Sequence, residues 1–191
     1  MAGMSAVEQQ VPAWPPQVRG EWTVDDLVHS PDDGQRYEIL DGVLLVSPAP
    51  IPKHQTVLFE LAVLFRSACP PDHRAFVAPV DWQPDGRTSL QPDILVVRKD
   101  RIGEKNVVRT PTLVAEVLSP STARIDRMVK LSRYAEGGIA QYWLVDPDGP
   151  SVQVFDLIGG EYRLVASGGP GDTVTVDGPV PVSFDPAVLV G

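Results

Sequence analysis

The sequence is poor in cysteine: Cys69 is the only one among 191 residues. One thiol closes no internal disulfide and builds no Cys-based zinc site. Long apolar runs are also missing, and nothing approaches the ~20 apolar residues of a membrane span. The opening stretch, MAGMSAVEQQVPAWPP, lacks the basic-then-apolar order of a secretory signal. These absences point to a soluble, cytoplasmic protein without a membrane partner. Histidine is scarce too, and neither His29 nor His73 stands at metal-ligand spacing. There is no Walker A series, no G-x-G-x-x-G after a strand, no nucleophile elbow and no basic helix interleaved with aromatics.

What is present is an ordinary globular balance, 43% hydrophobic and 21% charged, enough for one compact domain over 21–191. Residues 1–20, with Pro12, Pro15 and Pro16, show no period and read as a flexible arm. The net charge of −9 argues against a surface coated with phosphate-binding cations. Yet nine Lys and Arg against four acids fall in residues 98–133, a local net of +5. An acidic body with one basic segment can still dock a polyanion.

Thr23 with Asp26 predicts a capped short helix to His29. Arg36–Leu40 and Val43–Ser47 flank Asp41-Gly42, a strong hairpin signal. Leu58, Leu61, Ala62, Phe65 and Ala68 recur at helical spacing within 54–68. Strands are predicted over 75–82, 94–97, 112–118 and 141–145. Residues 121–136 read as a second helix with Ser121 or Thr122 as N-cap. Val152–Leu157 and Tyr162–Ala166 form a hairpin, and Val174, Val176 and Val180 mark weak strands in the tail. The sum is one α/β domain with a mixed central sheet, two main helices and extra hairpins toward both ends.

Two carboxylates stand out. Asp93 follows Pro92 where a strand begins. Glu116 is the one acid in the apolar strand Leu113–Leu118 and needs a partner there. If the strands are neighbours, both acids reach one end of the sheet. Paired carboxylates suit Mg²⁺ or Mn²⁺. Taken singly, each acid fits a strand cap or an ion pair.

Together these residues resemble the PD-(D/E)XK nuclease superfamily. The ordered series Tyr37-Glu38-Ile39-Leu40-Asp41-Gly42, Ser47-Pro48-Ala49-Pro50 before His54, Pro92-Asp93-Ile94, Glu116-Val117-Leu118-Ser119-Pro120, Asp126 with Lys130 and Tyr134, and Tyr142-Trp143-Leu144-Val145-Asp146-Pro147 is narrower still. It resembles a bacterial family of restriction-endonuclease-like proteins, a domain of unknown function, over about residues 22–157. The resemblance implies a restriction-endonuclease-like core, with Asp93, Glu116 and the carbonyl of Val117 as metal ligands and Glu38 as a further acid. The superfamily motif places Lys two residues after the second acid, but position 118 is Leu. Lys130 is the matching residue on the next helix, there to orient water or offset phosphate charge.

On a helical wheel Asp126, Lys130 and Tyr134 form one stripe. Ile125, Met128, Val129, Leu131, Ser132 and Ala135 make the less polar face, with Lys130 nearly opposite its centre. Lys130 therefore reaches a site only from a helix edge that overhangs the sheet end, or if a partner covers that side, and otherwise pairs with Asp126 on the surface. His54 opens the first helix and could bind phosphate or relay a proton; an exposed or structural role is the simpler reading. Tyr134 could bond into the site or pack.

The expectation is a Mg²⁺- or Mn²⁺-dependent endonuclease acting on nucleic acid, foremost DNA, with Asp93, Glu116 and Lys130 at the chemistry. The basic segment 98–133 would contact the backbone. The alternative is a non-catalytic binding or assembly module, favoured by Leu118, by the wheel position of Lys130 and by the net charge. A homodimer is expected.

Overall fold

The computed structural model describes residues 21–191, so the expected arm at 1–20 lies outside the described residues. A 3-10 turn, Val24–His29, starts on the Thr23–Asp26 capping box. Strands β1 (Arg36–Leu40) and β2 (Val43–Ser47) pair antiparallel across Asp41-Gly42, both with positive φ. Helix α1 spans Pro52–Ala68, with its proline in the first turn, where no N–H is needed.

The expected strand over 75–82 is two strands on different sheets. β3 is His73–Val77 and β4 is Trp82–Asp85. Pro79 cannot donate to a ladder, so pairing stops before it. β5 (Thr88–Leu90), a strand missed in the sequence, returns from the Asp85-Gly86 turn. β6 is Ile94–Arg98, β7 Leu113–Val117 and β8 Gln141–Asp146. The second helix, α2, runs through Ala123–Ile125, a π-helical turn at Asp126–Lys130, and Leu131–Glu136. β9 (Ser151–Ile158), β10 (Glu161–Gly168), β11 (Val174–Val176) and β12 (Val182–Phe184) complete the chain.

The central sheet has six strands in the order β10-β9-β8-β7-β6-β3. It is mixed: β7 and β8 are parallel and joined through α2, and the other pairs are antiparallel. The 152–166 hairpin thus belongs to the central sheet rather than being appended to it. The N-terminal hairpin grows into a second sheet, β2-β1-β5-β4.

Strand alternation divides the interior in two. Ile94, Val96, Leu113, Ala115, Val117, Trp143 and Val145 face α1 and the C-terminal strands. Leu95, Val97, Val114, Tyr142 and Leu144 face the other way, toward Leu40, Trp82, Leu90 and Tyr134. Glu116 follows Val114 by two residues, so it points to this second side, where α2 and β1 lie. The period-2 geometry of β7 thereby aims its one carboxylate at α2.

Candidate active site

The site lies where the starts of β6 and α1 meet the ends of β7 and β2. Asp93 immediately precedes β6. Its Oδ2 accepts the Val117 N–H at 2.9 Å and lies 3.1 Å from His54 Nε2. Its Oδ1 accepts from the Arg36 guanidinium at 3.0 Å. The Asp93 N–H donates to Glu116 Oε2 at 3.3 Å, tying the two acids together. Burial pushes the Asp93 carboxyl up, but the hydrogen bond from His54 and the charge of Arg36 outweigh it and hold it below the usual range.

Glu116 Oε1 accepts from Lys130 Nζ at 3.0 Å and from the Tyr134 hydroxyl at 2.8 Å. Lys130 also reaches Glu38 at 3.2 Å and Asp126 at 3.5 Å. Glu38 Oε1 takes the Gln91 N–H at 2.7 Å. Burial drives the Glu116 carboxyl up to about 8; Lys130 opposes this, and Asp126, Asp93 and Glu38 add to it. Burial alone would lower the Lys130 ammonium, but Glu116, Glu38 and Asp126 keep it charged above the ordinary lysine range. Asp126 is also raised by burial, against Lys130.

Lys130 is only 3% exposed, which corrects the wheel. Met128 and Val129, placed on the buried face by the wheel, are 62% and 45% exposed. Two causes combine. The π turn at Asp126–Lys130 widens the helix, so a step of 100° per residue misplaces the side chains beyond it. Acids on β1 and β7 also supply the polar stripe with partners, so it can be buried at all.

The sequence-derived residues Glu38, His54, Asp93, Glu116, Asp126, Lys130 and Tyr134 therefore meet, all buried. All but Tyr134 line one cavity of about 200 Å³, together with Val117. His54 is raised by this from a surface position to a partner of Asp93. Arg36 was missed, although it stands two residues before Glu38 on the same face of β1. Ser119, Ser121 and Thr122, whose hydroxyls bond one another at the cavity rim, were missed as well.

The basic segment 98–133 is not gathered on one surface. Arg98 closes β6 about 17 Å of strand away from Asp93 and pairs with Asp100. Arg101 bonds Thr110 O, Arg133 pairs with Asp85 and Asp41, and Lys130 is interior.

Among the described residues, no three His, Cys, Asp or Glu side chains form a ready metal cage. The donor chemistry nevertheless fits a hard divalent cation. Asp93 and Glu116 are linked carboxylates on one cavity, with Val117 next to Glu116 on β7. Four buried acids, Glu38, Asp93, Glu116 and Asp126, face two fixed cations, Arg36 and Lys130. Burial first, and the neighbouring acids after it, push Glu116 toward its protonated form, the direction a bound cation would oppose. Asp126 Oδ1 and His54 Nδ1 are buried without a hydrogen-bond partner among the described residues.

Residues 24–188 match the model of a family named Uma2 and described as "Putative restriction endonuclease". The chain belongs to the Uma2 family. A crystal structure described as a "putative nuclease" of DUF820 from Anabaena variabilis superposes with a TM-score of 0.70 at 23% identity, over 88% of this chain and 97% of that one. The two chains share a fold, and the family model and this likeness together support a restriction-endonuclease-like one. No curated protein matches. In this Uma2 chain no helix among the described residues is long and apolar enough to cross a membrane.

Proposed function

We propose that this Uma2 protein is a Mg²⁺- or Mn²⁺-dependent endonuclease that hydrolyses phosphodiester bonds in DNA. The observation that carries the reading is the meeting of Asp93, Glu116 and Lys130, from the approach to β6, from β7 and from α2, in one cavity; in this reading Lys130 stands in for the lysine absent at position 118.

Asp93, Glu116 and the Val117 carbonyl would hold the cation, with Glu38 as a further acid beside them. When bound, such an ion polarises a phosphoryl oxygen and makes water a better nucleophile. The chain's own groups do the rest. His54 and the Val117 N–H fix the orientation of Asp93. Lys130 stays charged and offers N–H donors to water or to charge developing on the phosphate. Glu38, anchored by the Gln91 N–H, fixes Lys130. Arg36, partly open to solvent, can leave Asp93 for a phosphate oxygen.

A second reading, a non-catalytic module, draws on one observation: both oxygens of Asp93 already have internal partners. The deciding experiment is cleavage of supercoiled plasmid with Mg²⁺ or Mn²⁺ against EDTA, comparing wild type with Glu116→Gln. Metal-dependent cutting lost in the variant is the expected result. Metal binding without cutting by wild type would establish the second reading instead.

A further inference from the structure

A second cavity, of about 610 Å³, opens between α1 and β3, the edge strand of the central sheet. Its lining includes Arg66, Arg74, Lys99 and His73 and not one Asp or Glu, in a chain with 25 acids. Arg66 and Arg74 are exposed and make no ion pair among the described residues. The Lys99 ammonium donates to the Pro71 carbonyl and keeps further N–H donors free.

One end of the groove lies beside the acid cluster, for Ile94 in its lining directly follows Asp93. The active-site cavity continues, past Arg36, Ala49 and Pro50, into a hollow bordered by Leu58 and Ala78. Leu58 lies one turn of α1 before Ala62, and Ala78 follows Val77; Ala62 and Val77 line the groove. From His54 to Arg66 the helix covers roughly 18 Å. That is about five phosphates of one stacked strand.

We propose that the α1–β3 groove receives a single strand of nucleic acid running out of the acid cluster, its phosphates contacting Arg66, Arg74 and Lys99. The inference rests on the nuclease reading and adds the path of the strand. The position beside the acid cluster, along the same helix, favours nucleic acid over an acidic peptide.

The only cysteine of the chain, Cys69, lines this groove and serves as a local reporter. The test uses the full chain in EDTA and a fluorescein-labelled single strand of roughly 12 nucleotides, within the range of single-strand sites. The strand is expected to slow maleimide alkylation of Cys69 several-fold. In Arg66→Gln/Arg74→Gln, the dependence of log affinity on log salt is expected to become shallower by about 1.4, for two lost phosphate contacts. Arg66→Gln alone should give half of that change, should the double variant fold poorly. Binding with unaltered salt dependence and unaltered Cys69 reactivity overturns the groove and leaves the nuclease reading intact if the wild type cleaves. Cys69 protection by poly-glutamate but not by the oligonucleotide also overturns it, in favour of an acidic peptide. Failure of wild type both to bind and to cleave with metal brings down the nuclease reading itself.

Discussion

Lys130 shows how one buried charge can organise a site. Three carboxylates surround it, so its removal leaves negative charge in the interior with no ammonium to answer it. Lys130→Met should cost about 3–5 kcal/mol of stability in EDTA, measured by denaturant unfolding. A loss below about 1 kcal/mol would mean that the ion pairs hold little of the fold. His54 acts on the cluster through Asp93. Supporting residues of this kind typically change metal affinity by roughly 10–100-fold, so His54→Gln should weaken Mn²⁺ binding by that factor in calorimetry. Unchanged affinity would make the His54–Asp93 bond purely structural.

At the scale of elements, the sequence was most legible where local chemistry decides the outcome. The β1–β2 hairpin falls on its predicted residues because Asp41-Gly42 accepts positive φ. β6 stands where a short apolar run begins after an acid, and β7 where one carries a single acid. Periodicity failed in α2, because a wheel assumes a uniform pitch and takes apolar residues for the buried ones. There the burying partners are Glu38 and Glu116, 92 and 14 residues away in sequence, beyond any local pattern. Arg36 was hidden for the same reason: its partner Asp93 is 57 residues on. The π turn makes a prediction of its own. Deleting Met128, an exposed residue within it, should restore ordinary helical pitch and keep helical circular dichroism. Lys130 would turn away from Glu116, and metal-dependent cleavage should disappear. Full cleavage by the deletion variant would show that the wider turn is irrelevant to the site.

The whole molecule couples this cluster to pH. In the metal-free protein Glu116 holds its proton up to about 8, against about 4.5 when unfolded. Its contribution to stability is complete below about 4.5 and disappears as pH rises through about 8. A divalent cation takes the deprotonated form, so the rise in Tm on adding Mn²⁺ should grow from pH 6 to pH 8.5. At 100 times Kd the ion should stabilise the fold by about 2.7 kcal/mol. Glu116→Gln should remove both the metal effect and its pH dependence. An equal Mn²⁺ shift at both pH values would place the binding proton elsewhere.

The cluster draws on β1, α1, β6, β7 and α2, a stretch of chain from Arg36 to Tyr134. Glu116 lies on a strand whose parallel neighbour, β8, comes only after α2. A chain still emerging from the ribosome therefore carries both acids before it carries Lys130, 14 residues on, and before β8, the parallel neighbour of β7. Products truncated before Gln141 lack β8 and with it the assembled cluster, so the proposed cleavage waits for the finished fold.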